Sequence, residues 1–121
     1  MKSLLIVEDD PATQQLLVTL MRRNGFSSVV TKNGAEAIHT LTTTDFAAVI
    51  LDLMMPGVDG QAVIDFISRE KETIPVIVCT AAGPRLTDLI DSKVVKAIVR
   101  KPFDIDQLSA LVAALTKQSD R

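Results

Sequence analysis

The stretch Ala47-Ala48-Val49-Ile50-Leu51-Asp52-Leu53-Met54-Met55-Pro56-Gly57 decides how this chain is read. Its first five residues are apolar without alternation, as expected of a parallel strand covered on both faces. Asp52 stands at the end of that strand, and the residues after it turn the backbone away. Leu4-Leu5-Ile6-Val7 is a second apolar run, and it ends in Glu8-Asp9-Asp10. Carboxylates delivered by two strands make an acidic pocket, and such a pocket calls for a cation.

Three further runs rich in branched aliphatics, Ser28 to Thr31, Pro75 to Cys79 and Lys96 to Val99, join Leu4 to Val7 and Ala47 to Leu51. Stretches of helical period separate them, so a β-α unit repeats five times and predicts a single doubly wound α/β domain. The run at 28–31 is the most polar and suits a sheet edge. Asp10-Pro11 predicts an N-cap with proline at the first helical position, ahead of an apolar stripe of Leu16, Leu17, Leu20 and Met21. Asn33 with Glu36 and Asp104 with Gln107 have capping spacing. A third helix is expected over Gln61 to Lys71, a short one over Arg85 to Ser92, and a final amphipathic one carrying Ile105, Leu108, Leu111, Val112 and Leu115.

With 121 residues, 47% of them hydrophobic, the chain has the material for one core and no room for a second domain. A net charge of −2, 3% aromatics and no basic block argue against direct nucleic-acid binding. The apolar start ends after about four residues, short of the ~7–15 of a signal peptide, and no run approaches a membrane span. Cys79, the single cysteine, lies in the run Val76-Ile77-Val78 and reads as core. A soluble, cytoplasmic protein in a reducing compartment is expected, either a single-domain protein or a domain excised from a longer chain.

Ligand sites of doubly wound sheets lie beyond the carboxyl ends of the strands, where strand order reverses. Glu8, Asp9 and Asp10 follow the first strand, Asp52 ends the third, Thr80 follows the fourth and Lys101 the fifth. Asp10 and Asp52, with a backbone carbonyl from the loop after Asp52, are hard oxygen ligands suited to Mg²⁺ (or Mn²⁺), and Asp9 can hold a ligating water. Without a counter-charge these acids would repel one another, so Lys101 is expected to pair with Asp52. A carboxylate so placed is a nucleophile toward phosphorus, a reaction that needs mainly alignment and charge neutralisation. Thr80 would donate to a phosphoryl oxygen. Two charge-assisted hydrogen bonds at about 1.5–3 kcal/mol each approach the about 5.5 kcal/mol needed to throw a two-state switch.

Glu8-Asp9-Asp10, the stretch from Asp52 to Gly60, Thr80-Ala81 and Lys101-Pro102-Phe103 together resemble the receiver domain of two-component response regulators, and the resemblance covers essentially the whole chain, 1–121. It implies a five-stranded parallel sheet of order 2-1-3-4-5 with helices on both faces. It also implies a non-enzymatic phosphoacceptor that takes a phosphoryl group on Asp52 from a histidine kinase or phosphotransfer protein. Asp9, Asp10, Asp52 and the Met54 carbonyl would hold Mg²⁺, Thr80 and Lys101 would contact the phosphoryl group, and Lys101-Pro102 would be cis. A downstream output protein or fused output domain is the implied partner, and the domain itself is expected to be a monomer or weak dimer.

Three departures qualify the resemblance. Ile98 stands where such domains commonly carry Tyr or Phe, and 91–97 lacks the usual Gly-Ala-Asp type of turn, so an atypical output face is expected. Met54 and Ala82, at positions flanking the hydrolytic water, cannot orient it, which predicts a slowly hydrolysing phosphoaspartate. His39 reads as a surface residue, the four phenylalanines as core, and no glycine-rich phosphate loop is present. The alternative is an interaction module of the same fold that works without phosphorylation. A metal-dependent phosphatase fits less well, because Met54 stands where it would need an acid.

Overall fold

The computed structural model describes residues 3–53, 60–81, 93–102 and 104–119, the side chains at 80 and 117–119 excepted. In chain order the elements are β1 (Leu4–Val7), α1 (Pro11–Arg23), β2 (Ser28–Thr31), α2 (Gly34–Thr43), β3 (Ala48–Leu51), α3 (Gly60–Glu70), β4 (Val76–Thr80), β5 (Val95–Arg100) and α4 (Ile105–Ser119). The strands form one parallel sheet of order β2-β1-β3-β4-β5. The short helix expected at 85–92 lies outside the described residues.

The unbroken apolar runs have a direct cause. Strand side chains point alternately to opposite faces, and both faces of this sheet are covered. Leu5, Val7, Val49, Leu51, Val76 and Val78 pack under Ala37 and Leu41 of α2 and Val63, Ile64 and Ile67 of α3. Leu4, Ile6, Ala48, Ile50, Ile77 and Cys79 pack on the other side against Leu17, Leu20 and Met21 of α1 and Leu108 and Val112 of α4. Cys79 is buried, and burial pushes its thiol up to about 12, as a core thiol requires. The edge strand β2 leaves Val29 and Val30 partly exposed.

Capping chemistry fixes where α1, α2 and α4 begin. Asp10 caps α1 by accepting from the Thr13 amide at 2.9 Å, with Pro11 in the first turn. Asn33 accepts from Glu36 N at 2.9 Å, while the Glu36 carboxylate reaches back to Lys32 N at 3.0 Å. Asp104 accepts from the amides of Asp106 and Gln107 at 2.8 and 3.0 Å. Each helix on a parallel sheet therefore starts next to the end of the preceding strand, which gathers the polar strand ends on one rim.

Candidate functional site: acids and an ammonium at the strand ends

Strand order reverses between β1 and β3, and the residues following these two strands face each other across that gap. Asp52 continues the ladder by donating its amide to Val7 O at 3.0 Å, and Glu8 N donates to Thr31 O at 3.0 Å. Ligand oxygens of Glu8, Asp9 and Asp52 all lie within 4.8 Å of one another. Glu8 and Asp52 are buried, at 2% and 6% exposure, whereas Asp9 is exposed at the mouth. The Lys101 ammonium enters from the end of β5, 2.6 Å from Glu8 Oε1 and 3.2 Å from Asp52 Oδ2.

The expected pairing of Lys101 with Asp52 is present, together with a shorter one to Glu8. Burial holds the Glu8 carboxyl above its ordinary 4.5, against the opposing pull of the Lys101 hydrogen bond and the Asp10 amide. Burial alone would also lower Lys101. The hydrogen bond to Glu8 and the charges of Asp52 and Glu8 outweigh it, so the lysine sits above its ordinary 10.5 and remains an ammonium. Three acids around one cation leave an excess of negative charge, and an all-oxygen donor set of this kind fits a hard divalent ion.

Asp10 occupies a different place from the one read from the sequence. Its Oδ2 accepts from both Thr13 N and Thr13 Oγ1, at 2.9 and 2.6 Å, and these bonds draw its pKa below the ordinary 3.8. A carboxylate committed to the helix terminus leaves the pocket to its neighbours, and Glu8 joins Asp9 and Asp52 instead. The signal was available in the sequence: the Asp10-Pro11 cap and an inward-facing Asp10 are competing uses of one side chain.

Thr80 ends β4, its backbone in register with Arg100, the residue before Lys101; its side chain, Met54 with its carbonyl, Ala82 and Phe103 are outside the described residues. The Lys101–Pro102 peptide is cis, as the resemblance implies. His39 is exposed on α2, away from the strand ends. Gly60 has a role that sequence reading missed. A Cβ there would lie 2.8 Å from Leu53 Cα and 3.1 Å from Asp52 O, so only glycine lets α3 close on the backbone that carries Asp52.

Fold and cluster together define a doubly wound α/β domain with an acidic, cation-competent site at its topological switch point. Residues 4–113 match the response regulator receiver domain, and the chain belongs to that family. It is 33% identical over 117 residues to the transcriptional regulatory protein TcrA of Mycobacterium tuberculosis, covering 95% of this chain and 46% of that protein. It is 33% identical over 116 residues to the transcriptional activator protein PfeR of Pseudomonas aeruginosa, covering 95% and 38%. The chain thus spans about half or less of the curated relatives it matches. Among solved structures, the response regulator TrrA of Thermotoga maritima, in complex with Mg²⁺-BeF, is 32% identical with a TM-score of 0.86, covering 95% of this chain and 99% of that one. The receiver domain of Francisella response regulator 1452 is 26% identical with a TM-score of 0.88, covering 98% and 99%. Among the described residues, no helix is long and apolar enough to cross a membrane.

Proposed function

We propose that the chain is, over 1–121, a phosphorylation-dependent receiver that accepts a phosphoryl group on Asp52 and thereby switches partner binding. One observation carries this reading: Glu8, Asp9 and Asp52 converge with the Lys101 ammonium at the ends of β1, β3 and β5. Asp9 and Asp52 are the metal ligands in this reading, with the Met54 carbonyl completing the set and Asp10 left to cap α1. Bound Mg²⁺ neutralises phosphoryl oxygens and lowers the electrostatic barrier to attack.

The remaining chemistry belongs to the chain. An Asp52 carboxylate oxygen attacks phosphorus, the bond from phosphorus to the donor's leaving group breaks, and that group departs with the electron pair. Lys101 turns from Glu8 toward the new dianion, and Thr80 donates to another of its oxygens. The acceptor is consumed by its own modification, so the domain turns over no substrate beyond its own phosphorylation and dephosphorylation.

The physiological donor is a histidine kinase or phosphotransfer protein, and the output is a downstream protein or a fused domain, in keeping with relatives that are transcriptional regulators. The same reading makes the domain a cytoplasmic monomer or weak dimer, and the slowly hydrolysing phosphoaspartate inferred from Met54 and Ala82 stays with it. Incubation with Mg²⁺ and a small acyl phosphate, followed by intact-mass measurement, tests the proposal. A gain of one phosphoryl group, lost in Asp52→Asn and on chelation of Mg²⁺, is expected. An unmodified wild-type mass would favour the interaction module that works without phosphorylation.

A further inference from the structure

Asp9 presents a geometric problem. It is exposed at the pocket mouth, and its carboxylate has no hydrogen-bond partner among the described residues, yet it points into the cluster with Glu8 and Asp52. An unsupported exposed side chain is aimed only as well as the backbone beneath it. That backbone is held from both sides. The peptide before Asp9 is gripped by Gln14, whose Nε2 donates to Glu8 O at 2.6 Å. The peptide after it is gripped by Glu8, whose Oε2 accepts from Asp10 N at 3.2 Å.

Glu8 is itself immobilised at every polar atom. Its amide donates to Thr31 O, its carbonyl accepts from Gln14, and its two carboxylate oxygens accept from Lys101 Nζ and Asp10 N. Three of these four partners lie on the sheet rim or next to Glu8 in sequence. Gln14 alone reaches across from inside α1, one helical turn after the Asp10 cap, and its own amide bonds to Asp10 O at 2.9 Å. The first turn of α1 is therefore rigidly tied to the acidic loop at two points.

We infer that Gln14 is a positioning residue for the cation site: its side-chain amide fixes the Glu8–Asp9 peptide plane and so aims the Asp9 carboxylate at the ion. This rests on reading the cluster as a Mg²⁺ site. Groups that orient ligands from behind change metal affinity by about 10–100-fold when removed, and a neutral amide acting through one peptide belongs at the lower end.

The test compares the whole chain with Gln14→Met, which keeps length and helix propensity but cannot donate, Gln14→Glu, whose carboxylate cannot donate to a carbonyl, and Gln15→Met on the exposed side of the same turn. Isothermal titration with Mg²⁺ is expected to give about tenfold weaker binding for Gln14→Met, a smaller loss for Gln14→Glu, whose added negative charge attracts the cation, and no change for Gln15→Met. Amide spectra of the metal-free proteins should differ at Asp9 and Asp10 and leave the strand interiors unmoved. Gln14→Met binding Mg²⁺ as tightly as a binding-competent wild type would overturn the inference alone. Spectral changes spread through the sheet would overturn it too, by making the effect one of general packing. A wild type that takes up no Mg²⁺ removes the functional reading and the role of Gln14 together.

Discussion

The two ends of the site's rim are built on opposite plans. Where β1 enters α1, every polar atom of Glu8 is engaged and Asp10 is fixed by two bonds from Thr13. Along β5 the burial alternates, Val99 is inside, and Ile98 stands 42% exposed on the opposite face. Lys101 joins them, because it leaves the partly exposed edge strand and reaches into the tightly bonded acids. The contrast separates two tasks: β1 and α1 fix the geometry in which phosphorus could be attacked, and β5 carries the lysine whose hydrogen bonds the reaction would rearrange.

Breaking that link should have the largest effect. Lys101→Met leaves Glu8 and Asp52 facing each other without their ammonium, and removing one partner of a largely buried pair costs about 3 kcal/mol or more. The loss has a defined pH dependence. Burial already holds Glu8 above 4.5, and without Lys101 its pKa rises further. A raised carboxyl pKa favours the folded state below the ordinary value and is lost as pH rises through the folded one. Urea unfolding should therefore show a gap between variant and wild type that is wide at neutral pH and narrows as pH falls toward 4.5. A gap independent of pH would mean that Lys101 acts through packing.

Next in size is Gly60→Ala, which tests whether the rigid end extends to β3. The added carbon meets Leu53 Cα, a backbone atom that cannot swing away, and overpacking of this kind costs about 1–3 kcal/mol. Because the displaced backbone carries Asp52, Mg²⁺ affinity should fall together with stability. Stability lost with affinity intact would show that α3 and the acid move independently.

Asp10 sharpens the comparison further. Asn caps helices about as well as Asp, so Asp10→Asn should keep the fold and Mg²⁺ binding, Asp10→Ala should lower the melting temperature, and Asp9→Asn should weaken Mg²⁺ binding with little effect on melting. The Thr13 hydrogen bonds depress the Asp10 pKa, so its contribution is present above 3.8 and lost as pH falls through the lowered value. A wild-type protein and Asp10→Asn with the same acid denaturation profile would contradict that assignment.

Strands and caps were legible in the sequence because each rests on local chemistry: apolar runs without alternation, Asp10-Pro11, Asn33 with Glu36, Asp104 with Gln107; the strand order came from the family resemblance. Asp52 and Lys101 were legible because strand ends in this topology meet on one rim. Glu8, Gln14 and Gly60 were not given their roles, for a common reason. Each depends on which way a side chain or a missing Cβ faces across a junction, and spacing along the chain does not encode that. A glutamate at the last apolar-to-polar step of β1 looks like a solvated turn residue until the cap on Asp10 removes the competing carboxylate.

Ile98 carries the smallest expected effect on stability and the sharpest test of the two-plan view. At 42% exposure only part of its side chain is covered, so Ile98→Ala and Ile98→Tyr should both stay within about 1 kcal/mol of wild type. Val78, its register partner on β4, lies in the buried cluster beneath α2 and α3, so Ile98 extends that face to the sheet edge. A larger change in either variant would mean that the edge is packed as firmly as β1, and the division of labour would fail. If the division holds, the variants should take up phosphoryl groups at the wild-type rate while differing in the chemical-shift response of β5 to a phosphoryl mimic, since the acids, Lys101 and Gln14 are untouched and only the shape of the exposed edge has changed.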